Sequence, residues 1–176
     1  HILTLGCKIN QYETQALRER FFSDGLSESD DPADADLLLI NSCAVTSRAV
    51  ADLRQAVRRM KRNAPDATVA ITGCAAQVLS KEIDTWEGVD LIIDHTDKDL
   101  IDSDMVRARL AGEPFTPTPQ QGRPFPDFAI TDYPRARAVL KVQDGCSHGC
   151  TYCIVPLARG RSVSRSLEAV LAEVHR

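Results

Sequence analysis
The chain has 176 residues, 43% of them apolar, and carries 21 Lys and Arg against 25 Asp and Glu for a net charge of −4. That apolar content suffices for one complete core and the start of a second domain. The longest apolar run, Leu37 to Ile40, is far too short for a membrane span or a signal peptide, so no membrane partner is expected and the protein is read as cytoplasmic. In that setting the six cysteines are expected to be reduced and buried, catalytic or metal-bound rather than bridged. The charge is uneven: from Arg135 onward there are seven basic and three acidic residues, and before it fourteen basic and twenty-two acidic. A basic tail fits a phosphate-bearing partner, although a solvated surface carries the same bias.

The first 110 residues alternate short apolar runs with amphipathic stretches, the pattern of an α/β fold with an open parallel sheet and helices on both faces. Ile2 to Leu5 is the first predicted strand. Asn10 is expected to cap a helix running to about Asp24, burying Tyr12, Ala16, Leu17, Phe21 and Phe22, with Gly25 ending it. Strand Asp36 to Ile40 leads to a helix opened by Thr46 or Ser47, with Val50, Leu53, Val57 and Met60 at helical spacing and Arg54, Arg58, Lys61 and Arg62 on its other face. Strand Ala67 to Thr72, a helix from about Ala75 to Trp86, strand Val89 to Ile93 and a helix from Lys98 to Leu110 complete the first domain, residues 1–110. Residues 111–134 hold six prolines, which disfavour ladders and helices and read as a linker. Residues 135–176 read as the start of another domain: strand Ala136 to Val142, loop Gly145 to Gly160 and helix Ser166 to His175. A chain opening in a strand and closing in a helix is expected to be a piece of a longer one.

Cys7, Cys43 and Cys74 each follow a predicted strand and precede a helix. In a parallel sheet such positions share one edge, the edge where ligands bind. Neighbouring strands lie about 4.8 Å apart, and helix N-termini there favour thiolates. Any one of the three alone could be a small buried residue; their common slot points to a shared inorganic cluster. Cys146, Cys150 and Cys153 form a second group, with spacing Cys-x3-Cys-x2-Cys in a loop containing Gly145 and Gly149. Three thiolates on a four-iron cluster leave one iron open, and S-adenosylmethionine can chelate it. A structural zinc site from these cysteines and His148 is the alternative.

These residues carry a family resemblance. Cys146 to Cys153 resembles the radical S-adenosylmethionine signature. Thr4-Leu5-Gly6-Cys7-Lys8-Ile9-Asn10-Gln11-Tyr12-Glu13-Thr14, Asn41-Ser42-Cys43-Ala44-Val45-Thr46 and Ile71-Thr72-Gly73-Cys74 resemble the amino-terminal domain of methylthiotransferases. The stretch after Cys7 is most similar to the branch acting on threonylcarbamoyladenosine in tRNA; the isopentenyladenosine branch and the branch acting on a ribosomal-protein aspartate usually differ there.

The resemblance implies two 4Fe–4S clusters. One, on Cys146, Cys150 and Cys153, would generate a radical from S-adenosylmethionine. The other, on Cys7, Cys43 and Cys74, would hold or supply sulfur for carbon 2 of the modified adenosine. It also implies that the backbone at Tyr152 contacts the cofactor's adenine, and that tRNA and an electron donor are partners. Arg159, Gly160, Arg161, Ser164 and Arg165 match the pattern without assigned roles. Because the family continues into the remainder of an incomplete β/α barrel and a small RNA-binding β-barrel, activity is expected of the full-length protein and this chain by itself is expected to be inactive. A non-catalytic zinc-binding module contacting nucleic acid through the basic helix is the competing reading.

Overall fold
The computed structural model describes residues 1–176 except 115, 117, 118, 120, 121, 123, 127 and 134–137. Four parallel strands, β1 (Ile2–Thr4), β2 (Leu37–Ser42), β3 (Thr68–Gly73) and β4 (Leu91–Ile92), form one sheet in sequential order. Its register pairs Thr4 with Asn41 and Ser42 with Gly73. The central strands are apolar on both faces because both are covered. Leu38, Ile40, Val69 and Ile71 share one core with α2 (Ser47–Asn63) and α3 (Cys74–Ile83). Ile2, Leu39, Ala70 and Leu91 share the other with α1 (Lys8–Ser23) and α4 (Ser103–Leu110). The expected open parallel sheet with helices on both faces is therefore present.

Several boundaries differ from the sequence reading. Helix α1 begins at Lys8 with Cys7 at its N-cap; Asn10 is inside and 1% exposed, its amide held by the carbonyls of Leu5 and Ser42 instead of capping. Phe22 is 78% exposed, since Phe21 takes the inward position. Helix α3 stops at Ile83, before Trp86. The helix expected over Lys98–Leu110 is two pieces, a 3-10 segment His95–Leu100 and then α4, because the Asp102 carboxylate accepts the Met105 N–H and starts a new helix. Thr46 caps α2 as expected, and Gly25 follows the α1 C-cap with φ +81°.

The proline-rich stretch is not detached from the first domain. Phe128 and Ile130 are buried in the core beside α1, and Glu19 accepts hydrogen bonds from the Thr131 and Asp132 backbone at 2.9 Å each. Of the expected strand Ala136–Val142, residues 136 and 137 lie outside the described residues and 138–142 are irregular. Pairing falls later, between β5 (Gln143–Asp144) and β6 (Val163–Ser164), and it is antiparallel. The intervening stretch, read as a loop, contains α5 (Val155–Arg159). Helix α6 (Leu167–Val174), capped by Ser166, buries Glu173 against the hydroxyls of Tyr12, at 2.8 Å, and Tyr133, at 3.0 Å. Among the described residues no helix is long and apolar enough to cross a membrane.

Candidate metal centres
The three strand-end cysteines fall on one edge. Cys7 caps α1 just after β1, Cys43 follows β2, and Cys74 is the first residue of α3 after β3. Cys7 is exposed, whereas Cys43 and Cys74 are buried, and no cysteine is disulfide-bonded. Glycine lets these segments approach. Gly6 has φ +107°, and a Cβ there would stand 2.6 Å from Cys43 Cβ and 3.0 Å from its Sγ. Gly73 has φ +98° and ψ −164°, a region essentially reserved for glycine, and a Cβ there would stand 2.4 Å from the Ser42 carbonyl.

The second group lies in the β5–α5 loop. Cys146 and Cys153 are half-buried and Cys150 is exposed. The loop is pinned at both ends: the Cys146 N–H donates to the Gly160 carbonyl at 3.0 Å and the Ser162 N–H to Ser147 Oγ at 3.2 Å. Gly145, φ +72°, passes so close that a Cβ would stand 2.3 Å from the Arg161 carbonyl. Tyr152 is 90% exposed on this loop.

Between the two groups lies a buried ionic network that sequence reasoning missed. The fully buried Glu13 carboxylate of α1 accepts from Lys98 Nζ and Lys141 Nζ, both at 2.6 Å, and from Arg159 Nη1 at 2.9 Å. Asp144 accepts from Arg159 at 2.7 Å and Lys141 at 3.2 Å, and lies 3.3 Å from His95 Nε2. Arg159 also donates to Asn10 Oδ1 at 2.8 Å, an atom 3.8 Å from Cys7 Sγ. Burial alone would raise the Glu13 carboxyl, but Lys98, Arg159 and Lys141 hold it well below the usual range. Burial, reinforced by Lys98, pushes His95 down to about 3, so its ring is neutral. Burial pushes the Cys74 thiol up, opposed by the charges of Arg159 and Lys98 and a hydrogen bond from Arg159. The network had one visible signal, Lys141 set within the apolar run Val139-Leu140-Lys141-Val142.

Two donor sets could be considered for a metal. Glu13, His95 and Asp144 place ligand atoms within 4.8 Å of one another, but the three cations bonded to those carboxylates already occupy their acceptor positions. The cysteines fit better: they are reduced, thiolates are the usual cluster ligands, and a four-iron cluster spreads them one per iron rather than on a single ion. Asn41 Oδ1 and Thr72 Oγ1, buried at the same strand ends, lack a hydrogen-bond partner among the described residues.

Residues 1–94 match the family described as "Uncharacterized protein family UPF0004". The chain is similar to threonylcarbamoyladenosine tRNA methylthiotransferase MtaB of Bacillus subtilis (strain 168), 37% identical over 175 residues, which cover 97% of this chain and 38% of that protein. The MtaB of Chlamydia pneumoniae is also 37% identical over 175 residues, 98% of this chain and 38% of its own. That of Aquifex aeolicus (strain VF5) is 34% identical over 178, covering 97% and 42%. The chain thus spans about two fifths of the length of these relatives. With more than half its residues inside the matched region, the chain belongs to the UPF0004 family, the amino-terminal module of methylthiotransferases, as its cysteine motifs implied.

Proposed function
We propose that the full-length protein is a cytoplasmic radical S-adenosylmethionine enzyme that adds a methylthio group to carbon 2 of N6-threonylcarbamoyladenosine in tRNA. The observation that carries this reading is the gathering of Cys7, Cys43 and Cys74 at the ends of three neighbouring parallel strands, with a Cys-x3-Cys-x2-Cys loop bonded to the same edge through Arg159. The first trio would hold one 4Fe–4S cluster and Cys146, Cys150 and Cys153 the other. The chemistry supplied by the bound clusters is one-electron cleavage of S-adenosylmethionine at the loop and delivery of sulfur at the sheet edge.

The protein's own groups have separate tasks. The Cys7 side chain sits at the N-cap of α1, where the positive end of the helix dipole faces an anionic ligand set. Arg159 and Lys98 bring positive charge toward Cys74. The exposed loop leaves the backbone at Tyr152 open to the adenine of the cofactor. The boundaries at residues 110 and 134 belong to this same reading.

The test has two arms. Anaerobic reconstitution of the full-length enzyme should give about eight irons per chain, with about half lost when either trio is replaced by alanine. Nucleoside mass spectrometry should show the methylthio group missing from tRNA when the gene is deleted and restored by the intact gene. Zinc without iron after anaerobic purification would instead favour a non-catalytic module. An unchanged nucleoside profile would reject the substrate.

A further inference from the structure
The surface charge of the first domain is segregated. Helix α2 holds six basic residues and one acid, Asp52, whereas the other 93 of the first 110 residues hold seven basic and eighteen acidic. A strongly positive helix on an otherwise negative domain concentrates attraction for polyanions along one line.

Arg54, Arg58 and Arg62, four residues apart, form one ridge on this helix, and all three are exposed. Among the described residues none of them is paired with a carboxylate, while Arg48 is held by Asp52 and Lys61 by Asp90. The ridge borders a groove of about 590 Å³ whose far wall includes Trp86 and one acid, Glu87. Arg54 lies over the Trp86 ring, 5.4 Å from its centroid, so one cation is already oriented before any ligand arrives. The ridge also has a direction. Helix α2 is capped at Thr46, three residues after Cys43, so Arg54 to Arg62 occupy a span of about 12 Å that begins about 12 Å from the cysteine edge, at 1.5 Å per residue.

We propose that Arg54, Arg58 and Arg62 bind the phosphate backbone of the tRNA as it leaves the cysteine edge. This rests on the tRNA substrate of the proposed function and adds the surface that aligns it. A membrane is the poorer occupant, because an interfacial helix needs an exposed apolar face and the apolar residues of α2, Leu53, Ala56, Val57 and Met60, are buried.

The test is fluorescence anisotropy of the full-length protein with a labelled anticodon stem–loop RNA across a salt series. Combining Arg54→Gln, Arg58→Gln and Arg62→Gln should weaken binding at least tenfold at about 0.1 M salt and flatten the log–log salt slope by about 2–3, each of the three lost phosphate contacts removing about 0.7–0.9. A control combining Arg18→Gln and Arg107→Gln, on the opposite face of the sheet, should bind as the parent does. Unchanged affinity and slope in the triple variant, or an equal loss in the control, would overturn the proposal. Equally tight, Arg54-dependent binding of polyglutamate would overturn the assignment to RNA. Nucleoside analysis separates the two readings: arginine-dependent RNA binding without any methylthio nucleoside rejects the reaction alone, and normal modification with arginine-independent binding rejects the surface alone.

Discussion

Replacing Glu13 by Gln tests whether the buried ionic network holds the molecule together. The carboxylate is completely buried and is met by Lys98 and Lys141 at 2.6 Å and Arg159 at 2.9 Å. Glutamine keeps the shape, removes the charge and turns an N–H₂ toward a cation. Leaving a buried charge without its partner costs about 3–5 kcal/mol, and here three cations lose the same partner, so Glu13→Gln should fall at the upper end of that range. Against a total stability of about 5–15 kcal/mol this is a large fraction. It corresponds to a fall in melting temperature of about 10 °C or more for a chain of this size. Urea denaturation would measure it, together with Lys98→Met and the double variant. Because the two residues share one bond, the double variant should be less destabilised than the sum of the singles by about 1–3 kcal/mol. A loss below about 1 kcal/mol for Glu13→Gln, or strict additivity, would refute the reasoning.

The same network makes stability depend on pH. His95 is lowered from 6.5 to about 3, so between those values the unfolded chain binds a proton that the folded one does not. Stability therefore falls as pH drops through that window, by up to about 1.4 kcal/mol per pH unit. Glu13 and Asp144, both depressed, add to the loss at lower pH, and a His95→Gln variant with an unaltered stability–pH curve would contradict the assignment. At the sheet edge, Gly73→Ala puts a Cβ 2.4 Å from the Ser42 carbonyl at a φ of +98°. The strain, about 1–3 kcal/mol, should displace Cys74 and lower reconstituted iron to about half, and full iron loading of the variant would show that the turn does not position the ligand.

What could be read before folding was whatever depends on local pattern. Apolar runs located β2 and β3, and the slot after each strand located Cys7, Cys43 and Cys74, because a parallel topology fixes where strand ends lie. Thr46 announced the start of α2 through its side-chain cap. The misreadings came from residues whose partners are distant in the chain. Asn10 has the composition of a cap, but Arg159, 149 residues away, and the Ser42 carbonyl recruit it. The helix expected from Lys98 to Leu110 is divided: Lys98 is drawn into the interior by Glu13, 85 residues earlier, and a new helix starts after Asp102. The burial of Phe128 and Ile130 beside α1, inside the proline-rich stretch, likewise has no local signal, because the α1 residues of the core they join lie more than 100 positions earlier.

The choice of charges, rather than apolar side chains, at the junction has a structural consequence. An apolar filling of the same volume could match the network in stability, but it would be indifferent to small rotations of the 145–160 segment against α1. Arg159 is not indifferent: its planar fork bonds Glu13 and Asp144 through one nitrogen and Asn10 through the other. Asn10 in turn grips the carbonyls of Leu5 and Ser42, each one or two residues from a cysteine of the first trio. On the other side, the carbonyl of Gly160, next to Arg159, anchors Cys146. A shift of either cysteine group relative to the other must therefore break charge-assisted bonds in a site where water cannot replace them. The spacing of the two groups is thus fixed by directional bonds centred on one guanidinium, which a lysine, with a point charge and no fork, could not reproduce.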